Sequence, residues 1–155
     1  MFEGSHTGYH HLPGQITHRR RIVFARPDAW VIGDLVEGQG VHSVSVSFQF
    51  PPGRAAVEPG AGTVHLLCEG EPVVTVLPLR PADLVAELEE GWVSYQYGTK
   101  VPAPRLVFRV TARLPVHVLT VLAAPGPTPR ELADRALAAW ELAQARWPSA
   151  PSKTQ

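Results

Sequence analysis

Cysteine is almost absent from this sequence, and so are the segments that would direct a chain to a membrane. The single Cys68 cannot form an internal disulfide, and no Cys-x-x-Cys pair predicts a structural zinc site. No apolar run approaches the roughly 18 residues of a transmembrane helix. The first residues, MFEGSHTGYHH, have neither the basic nor the apolar region of a signal peptide, so we expect the chain as it stands to be cytoplasmic.

The sequence also has no excess of charge of either sign. Its 14 Lys and Arg residues balance its 14 Asp and Glu residues, which gives a formal net charge of zero. The overall balance therefore does not favour binding to nucleic acid or to an anionic membrane. Any basic binding site must be local.

What the sequence does contain is typical of an all-β domain. Its 155 residues suit one domain with a real core, and its hydrophobic fraction of 45% argues against disorder. The 13 Gly and 16 Pro residues are spread between apolar runs, a pattern typical of short strands joined by turns. Cys68 lies in one of these runs, TVHLLCEG, which predicts a buried and inert thiol.

Alternation of apolar and polar residues marks the strands. The clearest case is the run 41–50, where apolar residues alternate with three serines and a glutamine. Further strands are predicted at 16–25, 29–36, 63–69, 72–79, 105–113 and 116–122. The run 82–90 (ADLVAELEE) stays open, because its residue types favour a helix and its context favours a strand. Residues 1–15 are polar and glycine-rich, which predicts a loop with one short extended piece at most.

After residue 127 the period changes to that of a helix. Thr128-Pro129-Arg130-Glu131 is a capping box with proline at the first helical position. The apolar stripe that follows comprises Leu132, Ala136, Trp140, Ala143 and Trp147. We therefore predict an antiparallel β-sandwich of about seven to eight strands in residues 1–125, followed in residues 126–155 by a C-terminal helix and a frayed tail.

An ordered series of short motifs runs through residues 4–125. A Gly-Tyr loop, HTGY, leads into the strand THRRR, and the hairpin WVIGDLVEGQGVH follows. The segment GWVSYQYGTKVPAP comes later, and after a further strand the chain reads LTVLAAP. In this order the motifs resemble the C-terminal β-sandwich region of the heparinase II/III-like polysaccharide lyase family.

The resemblance also shows which family motifs this chain lacks. In the family, an upstream α/α toroid supplies a catalytic Tyr with an Asn or His. The sandwich contributes H-x-H-A-D, D-x-G and H-N-T motifs, which carry a catalytic His and the metal ligands. None of these motifs occurs here. The resemblance therefore implies part of a lyase, inactive alone, with no catalytic residue, no metal ligands and no cofactor in this chain.

Substrate and partner follow from the same resemblance. It implies β-elimination of acidic polysaccharides that contain uronic acid, so the expected partners are such a polysaccharide or an α/α-toroid catalytic partner domain. If the chain is a fragment of a longer lyase, a periplasmic or secreted location is expected instead of a cytoplasmic one.

A basic strand end supplies the first candidate substrate-binding residues. They are His18, Arg19, Arg20 and Arg21, together with Tyr9 of the preceding loop. Alternation along the strand places guanidinium groups on both faces, and arginine pairs bidentately with carboxylate or sulfate. The alternative is an edge strand whose charges prevent edge-to-edge pairing or form ion pairs with Asp28, Asp34 or Glu37.

The aromatic segment GWVSYQYGTK supplies the second set of candidates. They are Trp92, Tyr95, Tyr97 and Lys100. Aromatic side chains stack on sugar rings, and a neighbouring lysine would suit a sugar carboxylate. The alternative is that these aromatic side chains hold the loop against the sandwich.

The other titratable residues of the first strands are expected to be structural. A metal site built from His6, His10, His11 and His18 is not expected, because their spacing matches no ligand set. Asp34 is expected to lie at the end of its strand and to accept hydrogen bonds from the amides of the EGQG turn.

Two other functions fit the same residues. The chain is either a non-catalytic carbohydrate-binding module, with the basic strand and the aromatic loop as its site, or a structural subunit. In the second case an open sheet edge or the stripe of the helix docks onto a partner chain.

Overall fold

The computed structural model describes residues 1–57 and 62–146 of the chain. Ten β-strands and one α-helix follow one another along this part. The strands are β1 (Phe2–Tyr9), β2 (Ile16–Ala25), β3 (Ala29–Glu37), β4 (Val41–Gln49), β5 (Arg54–Val57), β6 (Val64–Cys68), β7 (Glu71–Arg80), β8 (Val85–Val93), β9 (Val101–Arg113) and β10 (Val116–Ala123). The helix α1 is Pro129–Arg146.

The strands form two antiparallel sheets. The larger sheet has seven strands in the order β1-β2-β3-β10-β7-β6-β5, and the smaller has three in the order β4-β9-β8. The predicted antiparallel all-β sandwich with one C-terminal helix is therefore confirmed. The described residues contain more strands than the seven or eight expected, because β1 and β5 carry little apolar signal.

The larger sheet is packed on both of its faces. One core cluster joins β2, β3, β7 and β10 to α1, and two others fill the space between the sheets. Side chains alternate along a strand, so Val23 of β2 faces the helix whereas Ile16 faces the smaller sheet. The domain thus has three layers: the helix, the seven-stranded sheet and the three-stranded sheet.

Three local predictions are decided by the structure. The loop predicted for residues 1–15 is wrong, since β1 pairs with β2 from Phe2 opposite Ile22 to Tyr9 opposite Ile16. The ambiguous run 82–90 lies mostly in strand β8, which pairs with β9. The buried thiol is also wrong: Cys68 is exposed, because it is the last residue of β6 before a turn.

The helix begins at the predicted capping box. The backbone N–H of Glu131 donates to Thr128 Oγ1 (3.3 Å), and the N–H of Thr128 donates to Glu131 Oε2 (2.9 Å). The first four residues of the predicted apolar stripe are buried; they are Leu132, Ala136, Trp140 and Ala143. Trp147 and the predicted frayed tail lie outside the described residues. In the part of the chain that the structure describes, no helix is both long and apolar enough to cross a membrane.

Candidate functional site

A cleft of about 420 Å³ opens between the two sheets, beside the first strands of the larger one. Its floor is the side of β2 and β3 that faces the smaller sheet, and it carries His18, Arg20 and Asp34. Residues 43–47 of β4 form one wall, and His6 and Tyr9 of β1 lie at the rim. We call this the β4 cleft. It brings together three of the nine predicted substrate-binding residues, which are Tyr9, His18 and Arg20.

A buried carboxylate organises the floor of the β4 cleft. Asp34 is fully buried, and its Oδ1 lies 2.6 Å from His18 Nε2. Arg20 donates to both carboxylate oxygens, from Nε to Oδ1 (2.7 Å) and from Nη2 to Oδ2 (3.0 Å). Burial alone would raise the pKa of Asp34, but the hydrogen bonds and charges of His18 and Arg20 outweigh it and hold this pKa below its ordinary value of 3.8.

This geometry corrects the expectation for Asp34. Its carboxylate does not bond the amides of the turn after β3 but lies within the strand, directly opposite Arg20 on β2. Even-numbered side chains of both strands face the smaller sheet, so the carboxylate meets the cation across the ladder rather than along the chain. Two of the three carboxylates considered as partners of the basic strand do form ion pairs with it: Asp34 with Arg20, and Glu37 with Arg19.

A chain of hydrogen bonds leads from this carboxylate to the rim of the cleft. His18 Nδ1 lies 3.1 Å from His6 Nε2, and the ring of His6 is 5.2 Å from that of Tyr9. The imidazole of His6 is exposed. Such a chain can orient an imidazole and move a proton, but Arg20 already neutralises the carboxylate at its buried end. Its first consequence is a fixed orientation of His18.

The other two arginines of the basic strand lie on the opposite face of the sheet, against the helix. Arg21 is 5% exposed; its Nε donates to Glu3 Oε2 (2.7 Å), and its guanidinium carbon lies 5.9 Å from the ring centre of Trp140. Arg19 approaches the carboxylates of Glu3 (3.4 Å) and Glu37 (3.6 Å). The predicted placement of guanidinium groups on both faces of the strand is confirmed. On each face, the arginines form ion pairs with carboxylates that lie on that same face.

His117 lies among these helix-facing groups, in a small cavity of about 100 Å³. Its ring is 5.4 Å from the ring of Trp140. Burial lowers the pKa of His117 below its ordinary value of 6.5; Arg80 and Arg21 act in the same direction, and Asp34 acts against them. The folded state therefore favours neutral His117.

Acidification is expected to destabilise the fold through this residue. Above pH 6.5, His117 is neutral in both the folded and the unfolded chain, and the free energy of unfolding is unaffected by its depressed pKa. As the pH falls below 6.5, the unfolded chain binds a proton at this residue more readily than the folded chain does, so the free energy of unfolding decreases. Denaturant unfolding at a series of pH values should show the free energy of unfolding decreasing from pH 7.5 towards about pH 5.5. The decrease should be smaller in His117→Gln, and identical profiles for the two proteins would contradict the assignment.

The aromatic candidates lie elsewhere, at the tip of the hairpin formed by β8 and β9. Lys100 Nζ sits 4.1 Å from the ring centre of Trp92, and Tyr95 and Tyr97 are 69% and 106% exposed. Ser47, the β4 residue of the cleft nearest to this tip, pairs with Val107 of β9, about six residues or roughly 20 Å along the strand from Val101. The hairpin tip and the β4 cleft are therefore separate surfaces.

No metal site accompanies either surface. Among residues 1–57 and 62–146, no three or more His, Cys, Asp and Glu side chains are placed to hold an ion together.

The structure also shows residues that the sequence did not single out for these roles. Glu3 and His6 of β1 hold Arg21 and His18 in place, and no apolar alternation marked their strand. The contact between Arg20 and Asp34 did have a signal in the hairpin register, because counting outward from the Ala25–Ala29 pair at the turn puts Arg20 opposite Asp34.

Comparison with known proteins places this fold. A search of solved structures finds a heparinase III with a TM-score of 0.60 and 26% sequence identity, covering 70% of this chain and 17% of that enzyme. The heparan sulfate lyase HepC from Pedobacter heparinus has a TM-score of 0.67 and 17% identity, covering 76% of this chain and 19% of the lyase. The latter likeness concerns the fold alone. The chain spans less than a fifth of either protein.

Sequence comparison gives the family. No curated protein sequence matches the chain. The family described as "Heparinase II/III-like, C-terminal" matches residues 1–139, which include both sheets and the first turns of α1. Since that match extends over most of the described fold, and the motifs of residues 4–125 occur in the family's order, the chain belongs to the heparinase II/III-like C-terminal family.

Proposed function

We propose that this chain is the β-sandwich portion of a polysaccharide lyase that cleaves uronic-acid-containing acidic polysaccharides by β-elimination. The observation that carries the proposal is the family match over residues 1–139. It is supported by the likeness to a heparinase III at 26% identity. The sandwich serves as scaffold and as a wall that faces the substrate, and an α/α-toroid partner domain supplies the rest of the active site.

The chemistry of β-elimination explains why we propose no activity for the chain alone. A base must remove the C5 proton of the uronic acid while the charge of its carboxylate is neutralised, and an acid must protonate the leaving oxygen. The family motifs that supply these groups do not occur in the sequence. Arg20 and Arg21 are held by Asp34 and Glu3, so neither guanidinium is free to neutralise a substrate carboxylate.

The purified 155-residue chain is therefore expected to form no unsaturated uronate from heparan sulfate. Product is measured by ultraviolet absorbance, with an active heparan sulfate lyase as positive control. Formation of unsaturated product above the protein-free blank would contradict the inactivity. Sequencing the DNA immediately upstream tests the lyase assignment itself: an H-x-H-A-D motif and an H-N-T motif encoded there, in frame or frameshifted, support it, and their absence opposes it.

A second candidate function is carbohydrate binding at the hairpin tip. Trp92 is 45% exposed and lies beneath Lys100, so a sugar ring on the indole would have its carboxylate close to the ammonium group. Tyr95 and Tyr97, which follow in the same hairpin tip, are exposed as well. The geometry favours this tip over the basic strand for sugar contact, because its cation faces no carboxylate in the described contacts.

Binding at the tip is expected to depend on Trp92 and Lys100. Trp92→Ala and Lys100→Ala should each weaken binding to heparan sulfate about tenfold, since loss of a stacked or cation–π contact removes about 1 kcal/mol or more. Affinity electrophoresis at fixed salt measures the effect. Arg54→Ala, which removes an exposed cation from β5, is the matched control and should leave binding unchanged. Equal losses in all three variants would indicate unspecific attraction of a polyanion.

A further inference from the structure

The smaller sheet ends at β4 with one edge open. The backbone N–H of Phe50 donates to the carbonyl of Pro104, so even-numbered residues of this run face β9. Backbone groups of alternate residues point to opposite sides of a strand. The N–H and C=O groups of Ser43, Ser45 and Ser47 therefore point away from β9, and no strand within the described residues pairs with that edge.

On the side that faces the smaller sheet, the larger sheet also has large apolar side chains that stay exposed among the described residues. Phe24 and Trp30 are opposite each other on β2 and β3; their ring centres are 4.6 Å apart, and they are 41% and 50% exposed. Phe2 lies opposite Ile22 and is 62% exposed. We call Phe2, Ile22, Phe24 and Trp30 the uncovered face. Alternation puts it on the side of the sheet that packs against the smaller sheet elsewhere.

The polar floor of the β4 cleft continues along β2 into the uncovered face, since His18 and Arg20 precede Ile22 and Phe24 on the same side of that strand. Its charges are already balanced, because Arg20 and His18 both bond Asp34. A segment laid over this floor would therefore not bury an unpaired carboxylate, which is the usual obstacle to covering a charged group. The cleft can be closed by another strand without any change in these contacts.

We propose that the open edge of β4 accepts an extended β-strand from the catalytic portion of a heparinase-type lyase, which closes the β4 cleft and extends over the uncovered face. This proposal rests on the proposed lyase function. The occupant is chosen because the chain matches less than a fifth of its lyase relatives, so most of such an enzyme lies outside this domain. Backbone hydrogen bonds to β4 give affinity, and apolar side chains at alternate positions of the incoming strand pack on Phe24 and Trp30.

The test combines the full chain with a heparinase III relative that lacks the region matched by this chain. We expect a complex in which the amides of Ser43, Ser45 and Ser47 become protected from hydrogen exchange. Ser45→Pro removes an outward N–H, which an edge strand tolerates, and should weaken the complex about tenfold or more. Ser45→Ala keeps the N–H and should bind like the wild type. Trp30→Glu alters only the uncovered face and should also weaken binding.

The remaining outcomes overturn the docking proposal, the proposed lyase function, or both. Absence of a complex, or one that Ser45→Pro and Trp30→Glu leave unchanged, rules out strand addition at this edge. Protection of the β4 amides in the chain alone, with a concentration-dependent dimer, would assign the edge to a second copy. Unsaturated uronate measured in the same mixture separates the two proposals. Activity without protection at β4 overturns only the docking, and protection without activity speaks only against the lyase function.

Discussion

Replacing Asp34 with alanine is expected to lower the free energy of unfolding by about 2–4 kcal/mol. Removing one partner of a buried ion pair leaves the other charge without compensation, which costs about 3–5 kcal/mol when that charge stays buried. Here the side chain of Arg20 is 37% exposed and that of His18 is 21% exposed, so water recovers part of the loss. Urea unfolding followed by circular dichroism measures the change.

Two comparisons isolate the buried pair. Asp28→Ala breaks the ion pair with Arg135, whose partners are 35% and 30% exposed, and should cost only about 0–1 kcal/mol. In the wild type, the depressed pKa of Asp34 contributes stability above about pH 4 that is lost as the pH falls through the folded value. Asp34→Asn should not show this loss of stability at acidic pH. If Asp34→Ala is as stable as Asp28→Ala, the pair contributes nothing net.

Much of the fold could be predicted from local patterns. Alternation identified β4 and residues 105–113 of β9 because their core-facing apolar residues recur at every second position, as Leu106, Phe108 and Val110 do in β9. The capping box placed the start of α1 because its bonds are local. The strand β1 escaped prediction for a physical reason: Phe2–Tyr9 is an edge strand whose side chains are mostly exposed, so it lacks the apolar alternation that burial imposes. Its pairing with β2 comes from backbone hydrogen bonds, which leave little trace in residue types.

The candidate site was predictable in its residue types but not in its grouping. Four consecutive basic residues indicated a basic strand, and their separation onto two faces follows from the period of two. Which carboxylate meets which arginine depends on register. Asp34 and Arg20 are set opposite by the turn at residues 26–28, whereas Glu3 reaches Arg21 through a strand that the sequence did not reveal. Long-range placement of the hairpin tip depends on both sheets and is not encoded locally.

These contacts bear on how the chain uses its charges. All three arginines of the basic strand are matched by carboxylates of neighbouring strands: Arg20 by Asp34 on the side of the smaller sheet, and Arg19 and Arg21 by Glu3 on the side of the helix. The basic strand thus acts first as the centre of two interfaces. Because these arginines are already paired with carboxylates, we propose sugar binding at the hairpin tip rather than at the basic strand. For the same reason the β4 cleft suits a β-strand better than a polyanion.

The helix interface depends on a glycine. An added Cβ at Gly33 would lie 2.1 Å from Trp140 Cη2 and 2.9 Å from His117 Nε2, both of which belong to rigid rings. Gly33→Ala is therefore expected to lower the free energy of unfolding by about 1–3 kcal/mol, because the indole must leave its position and α1 must shift with it. Denaturant unfolding gives the magnitude, and near-ultraviolet circular dichroism reports the displaced tryptophan.

Gly4→Ala is the matched control, since both glycines lie in strands of the same sheet. There the nearest atom to an added Cβ is Phe2 Cζ at 3.4 Å, the end of a side chain that can move. Its stability should stay within about 0.5 kcal/mol of the wild type. Combining Gly33→Ala with Trp140→Leu should show a smaller loss than the two single changes added together, because the smaller side chain removes the clash. Strict additivity would show that Gly33 is required for some reason other than the close approach of Trp140.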